Sequence, residues 1–261
     1  MYLSEDEKTL FCQGERRHCF DLSSNGYANF AMNRGVTGDS KAAVRSRSDF
    51  LNKGYYKPII DTLCEILKRN KPHGFIIDAG CGEGYYTKRI LDEGYDVLGI
   101  DLSKFAVHST ASRLQSKSND NAFSCVSSIF EMPVSDKCAD AVVSIFAPCA
   151  EEEMARVLSD DGIMVVVSAG ADHLWGLKEL LYDTAYKNDN RADMPKGMTL
   201  VSEESISYSI LLESNEDIKN LFSMTPYYWR TSPSDSEKLN DIQTLKTMID
   251  INFSVYKKEQ I

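Results

Sequence analysis

The chain has 261 residues, 43% of them hydrophobic, with 29 Lys and Arg against 39 Asp and Glu for a formal net charge of −10. That apolar fraction supports a real core and excludes a disordered or collagen-like chain. The length accommodates one large α/β domain, or one domain with a small appendage. Net acidity argues against nucleic acid as a first candidate partner, because polyanions are gripped by clustered Lys and Arg.

The average hides an asymmetry. Residues 1–73 carry 12 Lys and Arg and 9 Asp and Glu, a net of +3, whereas residues 74–261 carry 17 and 30, a net of −13. Within residues 12–57 the basic side chains are Arg16, Arg17, Arg34, Lys41, Arg45, Arg47, Lys53 and Lys57, against Glu15, Asp21, Asp39 and Asp49. This reads equally as a solvated surface of mixed charge or as an N-terminal module that meets an anion. The N-terminal residues lack a basic and then apolar leader, and no apolar run reaches the ~20 residues that span a bilayer, so no membrane association is expected. Seven scattered cysteines (12, 19, 64, 81, 125, 138 and 149) suit reduced thiols better than a disulfide framework. A cytoplasmic soluble protein is the expectation.

In chain order, Pro58 starts a helix whose stripe is Ile59, Ile60, Leu63, Ile66 and Leu67, broken by Pro72-His73-Gly74. Phe75–Gly80 reads as a strand, Thr87–Glu93 as a helix, Tyr95–Asp101 as a strand, and Ser103 caps a helix to about Ser116. Ala122–Val126 and Ala139–Phe146 read as strands, Ala150–Leu158 as a helix and Gly162–Ser168 as a strand, followed by a helix from about His173 to Lys187. Strands alternating with helices imply an α/β, doubly wound, mainly parallel sheet. Ile206–Glu213 and Thr247–Tyr256 alternate like half-exposed strands around a helix near Glu216–Ser223, which predicts an antiparallel edge hairpin.

The strongest local signal is Asp78-Ala79-Gly80-Cys81-Gly82-Glu83-Gly84, between a strand and a helix. Glycines there allow a sharp turn and close approach of a ligand. Asp101 ends the next strand, where a carboxylate can accept the ribose hydroxyls of a nucleoside. A dinucleotide site favours G-x-G-x-x-G, with pyrophosphate on the helix N-terminus. Here Asp78 and Glu83 flank the turn and would repel pyrophosphate, whereas the ammonium and sulfonium of S-adenosylmethionine suit them. S-adenosylmethionine is therefore preferred to NAD. Ser127-Ser128 follows the third strand, where adenine would lie, and reads equally as a polar turn. Phe146-Ala147-Pro148-Cys149 ends the fourth strand, at the edge where ligands of such sheets meet.

The glycine turn with Tyr85-Tyr86-Thr87, Ala147-Pro148-Cys149, and Met224-Thr225-Pro226 with Trp229-Arg230 resemble the bacterial 23S rRNA guanine-N1 methyltransferases. His18-Cys19-Phe20-Asp21, Gly26-Tyr27, Gly38-Asp39-Ser40, Phe50-Leu51 and Gly54-Tyr55-Tyr56 extend the resemblance, in the same order, from about Cys12 to the C-terminus. The family implies a Rossmann-like class I S-adenosylmethionine-dependent fold, methylation of guanine N1 in a hairpin of 23S rRNA, and a homodimer. It places Tyr56, Gly82, Glu83 and His173 at the cofactor; unaided by it, His173 reads as a locally packed side chain. The division it suggests is an N-terminal RNA-recognition module (1–35), a helical linker contributing to the cofactor site (36–72) and a methyltransferase domain (73–261). The family normally opens with a zinc module, but only Cys12 and His18 of the expected ligands are present, and two ligands do not close a tetrahedral site. Apolar packing in place of zinc is expected, the alternative being ligands from a partner.

The cofactor set is thus Tyr56, Asp78, Gly80, Gly82, Glu83, Gly84, Asp101, Ser127, Ser128 and His173. Phe146, Pro148, Cys149 and Trp229 are assigned to the substrate. Guanine N1 must lose a proton to become a good nucleophile, so the site must align N1 with the methyl group and assist deprotonation. Rival readings are a small-molecule methyltransferase, a non-catalytic S-adenosylmethionine-binding protein, and a cytosine-C5 RNA methyltransferase using Cys149 as nucleophile.

Overall fold

The computed structural model describes residues 2–4, 6, 8–12, 18–31, 38–188 and 195–259. The chain opens with short strands β1 (Tyr2–Leu3), β2 (Thr9–Phe11) and β3 (Cys19–Asp21), which pair antiparallel in the order β1-β2-β3. Leu10, Leu22 and Phe30 pack against a buried cluster of the main body, and Phe20 meets Phe30 edge-on with ring centroids 4.7 Å apart. Strand β4 (Ala28–Asn29) leaves this small sheet and joins the large one, parallel to a later strand.

Two helices follow, α1 (Lys41–Leu51) and α2 (Lys57–Asn70). Helix α2 runs as expected, with Pro58 in its first turn, Lys68 and Arg69 in its last, and Ile59, Ile60, Leu63, Ile66 and Leu67 all buried. Helix α1 falls within the helical linker that the resemblance implies, but apolar periodicity does not delimit it: only Val44, Phe50 and Leu51 are buried, too sparse a stripe to register as periodic. Its start was legible in Ser40, whose hydroxyl accepts the N–H of Ala43.

The large sheet then builds from β5 (Phe75–Ala79), α3 (Tyr85–Asp92), β6 (Asp96–Asp101), α4 (Lys104–Leu114), β7 (Ala122–Val126), β8 (Ala139–Ile145), α5 (Glu151–Val157) and β9 (Leu158–Ala169). Helix α6 (Trp175–Leu181), β10 (Met198–Leu212), α7 (Asn215–Ser223), α8 (Tyr227–Arg230), α9 (Pro233–Glu237) and β11 (Leu245–Lys258) complete it. The strand order is β10-β11-β9-β8-β5-β6-β7-β4. Neighbours from β9 to β4 run parallel, while β11 is antiparallel to β9 and to β10. This is the doubly wound sheet with an antiparallel edge hairpin. The near-continuous burial of β8 reflects cover on both faces, as parallel strands require.

Boundaries moved for physical reasons. Helix α6 stops at Leu181, six residues short of the expected Lys187, because the chain turns back over the helix. The buried Lys178 donates through Nζ to the carbonyl of Tyr186 at 2.9 Å and to Asn188 Oδ1 at 2.7 Å. Strand β10 extends back to Met198 because β11 is long enough to pair with it along that length.

The packing of α1 and α2 onto the sheet runs through Phe50, whose ring lies 5.1 Å from Tyr55 and 5.4 Å from Tyr56 between centroids. Phe50→Ala is expected to cost about 3–5 kcal/mol and lower the Tm by on the order of 10 °C, checked by thermal denaturation.

Candidate active site

Strand order reverses between β5 and β8, since β6 and β7 lie on one side of β5 and β8 and β9 on the other. The crevice outside the carboxyl ends of those two strands is where doubly wound sheets bind ligands. Gly80, Gly82 and Gly84 all have positive φ there, at 87°, 56° and 84°. A Cβ on Gly80 would stand 2.6 Å from Ala147 Cβ, so the glycine turn and the loop after β8 touch. A Cβ on Gly84 would stand 2.8 Å from Thr110 Cα, which locks the turn onto α4.

Acids surround this turn. Asp101 accepts the N–H of Gly82 at 3.0 Å on Oδ2 and that of Ser103 at 2.7 Å on Oδ1. Each oxygen keeps a lone pair for a hydroxyl. Burial raises its pKa against the pull of those backbone bonds. Glu83 is buried, its Oε1 has no hydrogen-bond partner among the described residues, and burial raises its pKa as well. A buried carboxylate oxygen left unsatisfied marks a place where a donor or cation belongs. Asp78 faces the other way: Oδ2 accepts the hydroxyl of Thr87 at 2.6 Å, tying β5 to α3. Ser127 N–H donates to the Asp101 carbonyl at 3.0 Å, its hydroxyl to the Glu131 carbonyl, while the Ser128 hydroxyl accepts the N–H of Phe130.

Beyond the acids lies an aromatic group. Phe146, at the end of β8, has φ +53° and is 43% exposed. Its ring stacks on His173 with centroids 6.0 Å apart and planes 17° off parallel, and Tyr56 lies 6.2 Å from each. Left-handed backbone at a bulky residue costs about 1–3 kcal/mol and gathers at functional sites. Here the Phe146 N–H donates to the Val167 carbonyl at 3.0 Å, which helps hold the strained turn. His173 is buried; Nδ1 accepts the N–H of Asp250 at 3.3 Å, which puts the ring proton on Nε2, facing the Tyr56 hydroxyl at 3.5 Å. Burial, with the Lys178 charge adding to it, lowers the His173 pKa to about 3, so the ring is neutral near pH 7. Asp250 also accepts the N–H of Asp172 and, through its carbonyl, that of Gly170. Sequence reasoning missed Asp250: it lies mid-strand in β11, and only the sheet brings it to the His173 loop.

The sequence-derived residues thus form two groups, the acid-lined glycine turn and the Tyr56–Phe146–His173 stack. Pro148 is exposed, and Cys149 is partly buried with Sγ 4.0 Å from Met154 Sδ and a thiol pKa raised by burial. Trp229 stands apart on α8, 80% exposed and edge-on to Tyr228 at 5.0 Å. Cys12 and His18 meet through backbone, Cys12 N–H to the His18 carbonyl at 2.9 Å. Among the described residues no group of three or more His, Cys, Asp or Glu could hold a metal ion. Nor is any helix among them long and apolar enough to cross a membrane.

The basic segment is partly neutralised. Arg45 pairs with Asp49, Arg47 with Asp39, Lys53 with Asp217 and Lys57 with Asp61, while Arg16, Arg17 and Arg34 lie outside the described residues.

Burial raises the Asp78 pKa to about 7. A carboxyl with a raised folded pKa binds more protons folded than unfolded, so stability falls as pH rises from about 4 towards 7 and then levels. Asp78→Asn, which keeps an acceptor for Thr87, is expected to raise the Tm at pH 8 by on the order of 5 °C and to lose that advantage near pH 5, followed by melting curves across pH.

A family model described as a methyltransferase domain matches residues 70–225. A Bacillus subtilis protein provisionally named the 23S rRNA (guanine-N1)-methyltransferase YxjB is 28% identical over 96% of this chain and 92% of its own length. The 23S rRNA (guanine(748)-N1)-methyltransferase of Streptomyces fradiae is 27% identical over 89% of this chain and 84% of its own. Among solved structures, the Bacillus subtilis YcgJ protein superposes with a TM-score of 0.53 at 15% identity, covering 77% of this chain and 98% of that one. Haemonchus contortus phosphoethanolamine N-methyltransferase 2, solved with S-adenosyl-L-methionine, gives 0.51 at 15% identity over 85% of this chain and 58% of that one. Strand order, glycine turn and family match agree: the chain belongs to the methyltransferase domain family and has the class I methyltransferase fold.

Proposed function

We propose that this protein transfers a methyl group from S-adenosylmethionine to N1 of a guanine in a hairpin of 23S rRNA. The observation that carries this reading is the extent of the likeness: the curated relatives align over 89–96% of the chain, well beyond the matched methyltransferase domain of residues 70–225. A small-molecule enzyme would have no reason to share the N-terminal segment with rRNA enzymes.

The residues present fit the cofactor. The open face of Gly82 and the unsatisfied Glu83 Oε1 suit an amino-acid end bearing an ammonium, and Asp101 suits a ribose. When bound, the cofactor supplies an electrophilic methyl group on a sulfonium. The buried carboxyl of Glu83 suits that cation, and burial keeps His173 uncharged, so its imidazole would add no repulsion. Tyr56 and His173 brace Phe146, whose exposed ring offers a wall for a flat guanine. Holding the base so that N1 meets the methyl in line supplies much of the acceleration in such a transfer. The exposed Trp229 and Tyr228 offer a stacking platform for an unpaired nucleotide. A Cys149 nucleophile is disfavoured, since burial keeps its thiol protonated and a sulfur, not a base, is its partner.

Incubation with methyl-labelled cofactor and rRNA lacking native modification is expected to yield N1-methylguanine in the hairpin. Cofactor binding without label in any RNA would overturn the proposal. Phe146→Ala should cut kcat on the order of 100-fold while leaving cofactor affinity within about threefold. Cys149→Ala should keep most activity; a fall to background would instead establish a covalent mechanism. Raising salt should weaken RNA binding while sparing the cofactor.

A further inference from the structure

Of the three glycines in the turn, Gly80 and Gly84 are crowded by Ala147 and by the backbone of Thr110, and internal packing explains them. Gly82 differs. The nearest atom to a Cβ there is Arg47 Nη1, at 3.5 Å, the end of a flexible side chain reaching across from α1. A guanidinium therefore hangs over the one open position of the cofactor turn.

Its placement is built from the sequence upward. Ser40 caps α1, setting where Arg47 projects two turns later. The preceding segment is pinned to the site: a Cβ on Gly38 would stand 2.6 Å from Ser103 N, and the Asp39 carbonyl accepts the Ser103 hydroxyl at 2.7 Å. Asp39 Oδ2 then pairs with Arg47 Nη1 at 2.6 Å, with the arginine side chain only 24% exposed. Ser103 also donates its N–H to Asp101, so the cap, the ion pair and the ribose acid share one scaffold. The positive charge is felt within the turn, since Arg47 acts to lower the pKa of Glu83 against burial.

The methyl donor carries one anionic group, its α-carboxylate, among two cations. Glu83 and Asp101 can serve the cations and the ribose but repel the carboxylate. Arg113 also acts on Glu83, but its guanidinium donates to Asn52 Oδ1 at 3.0 Å and Ser48 Oγ at 2.5 Å, whereas the guanidinium nearest Gly82 is that of Arg47. A planar guanidinium, always charged and able to grip a carboxylate with two parallel N–H bonds, is the group this site needs.

We propose that Arg47 binds the α-carboxylate of S-adenosylmethionine, with Asp39 holding the guanidinium poised over Gly82 between turnovers. The inference rests on the methyltransferase reading above and deepens it: helix α1, outside the matched domain, completes the cofactor site.

Calorimetric titration of the full chain with S-adenosylmethionine and with its decarboxylated analogue tests this, since the two ligands differ only in that carboxylate. Wild type should favour the intact cofactor by about 10- to 100-fold, the range of a charge-assisted hydrogen-bonded pair. Arg47→Ala should bind both ligands with equal, weak affinity, abolishing the preference. Arg47→Lys, which keeps the charge but not the fork, should retain a preference of several-fold and guards against a folding defect in the alanine variant. A preference undiminished in both variants, or absent from wild type, overturns the assignment of Arg47. Wild type binding neither ligand overturns the cofactor reading itself.

Discussion

Where the strand order reverses, the backbone leaving β5 must turn into α3 while passing close to the loop after β8 and to α4. Only residues free to take positive φ without a Cβ can do this, and Gly80, Gly82 and Gly84 all do so. At Gly80 and Gly84 neighbouring protein atoms also leave no room for a Cβ, whereas at Gly82 the nearest atom is the end of the Arg47 side chain. The rest of the site hangs from this turn: Asp101 grips Gly82 N–H, Thr87 ties α3 back to Asp78, and Ala147 brings the Phe146 loop against Gly80.

Electrostatics and strain follow from the same crowding. Carboxyls gathered in a dry crevice resist ionisation, and a cationic ligand relieves that resistance; this couples folding of the turn to binding. The neutral imidazole of His173 fits the same field. Its tautomer and angle come from Asp250 on β11, so the edge hairpin, remote in sequence, orients the ring on which Phe146 stacks. Leu174, immediately after, also has positive φ, at 59°, and its N–H donates to the Met248 carbonyl of β11. Strained backbone is thus held on the rigid sheet by hydrogen bonds from Phe146 and Leu174 to its strands.

The N-terminal residues join the body by packing. Phe20 and Phe30 pack edge-to-face, Leu10 and Leu22 lie against the body, and β4 extends the large sheet. Lys53, Lys68 and Arg69 pair with Asp217, Glu93 and Glu204 of the acidic part, so the contrast of +3 against −13 overstates the field available to a polyanion. RNA recognition by such a surface would rest on shape and stacking more than on charge.

How much was legible in the sequence depended on the range of the interaction. The glycine turn, the alternation of strands and helices, and the late hairpin could all be read directly, because each is a local pattern of backbone freedom or apolar period. The bounds of helix α1 could not be read from periodicity because its buried stripe is only Val44, Phe50 and Leu51, and α6 was drawn too long because Lys178 holds Tyr186 and Asn188 through space. The residue types at the site were thus determined by sequence alone. Their company was decided by tertiary structure: Arg47 beside Gly82, Phe146 on His173, and Asp250 N–H on the His173 ring join segments far apart along the chain. Such juxtapositions depend on which strands become neighbours, and no local period encodes that.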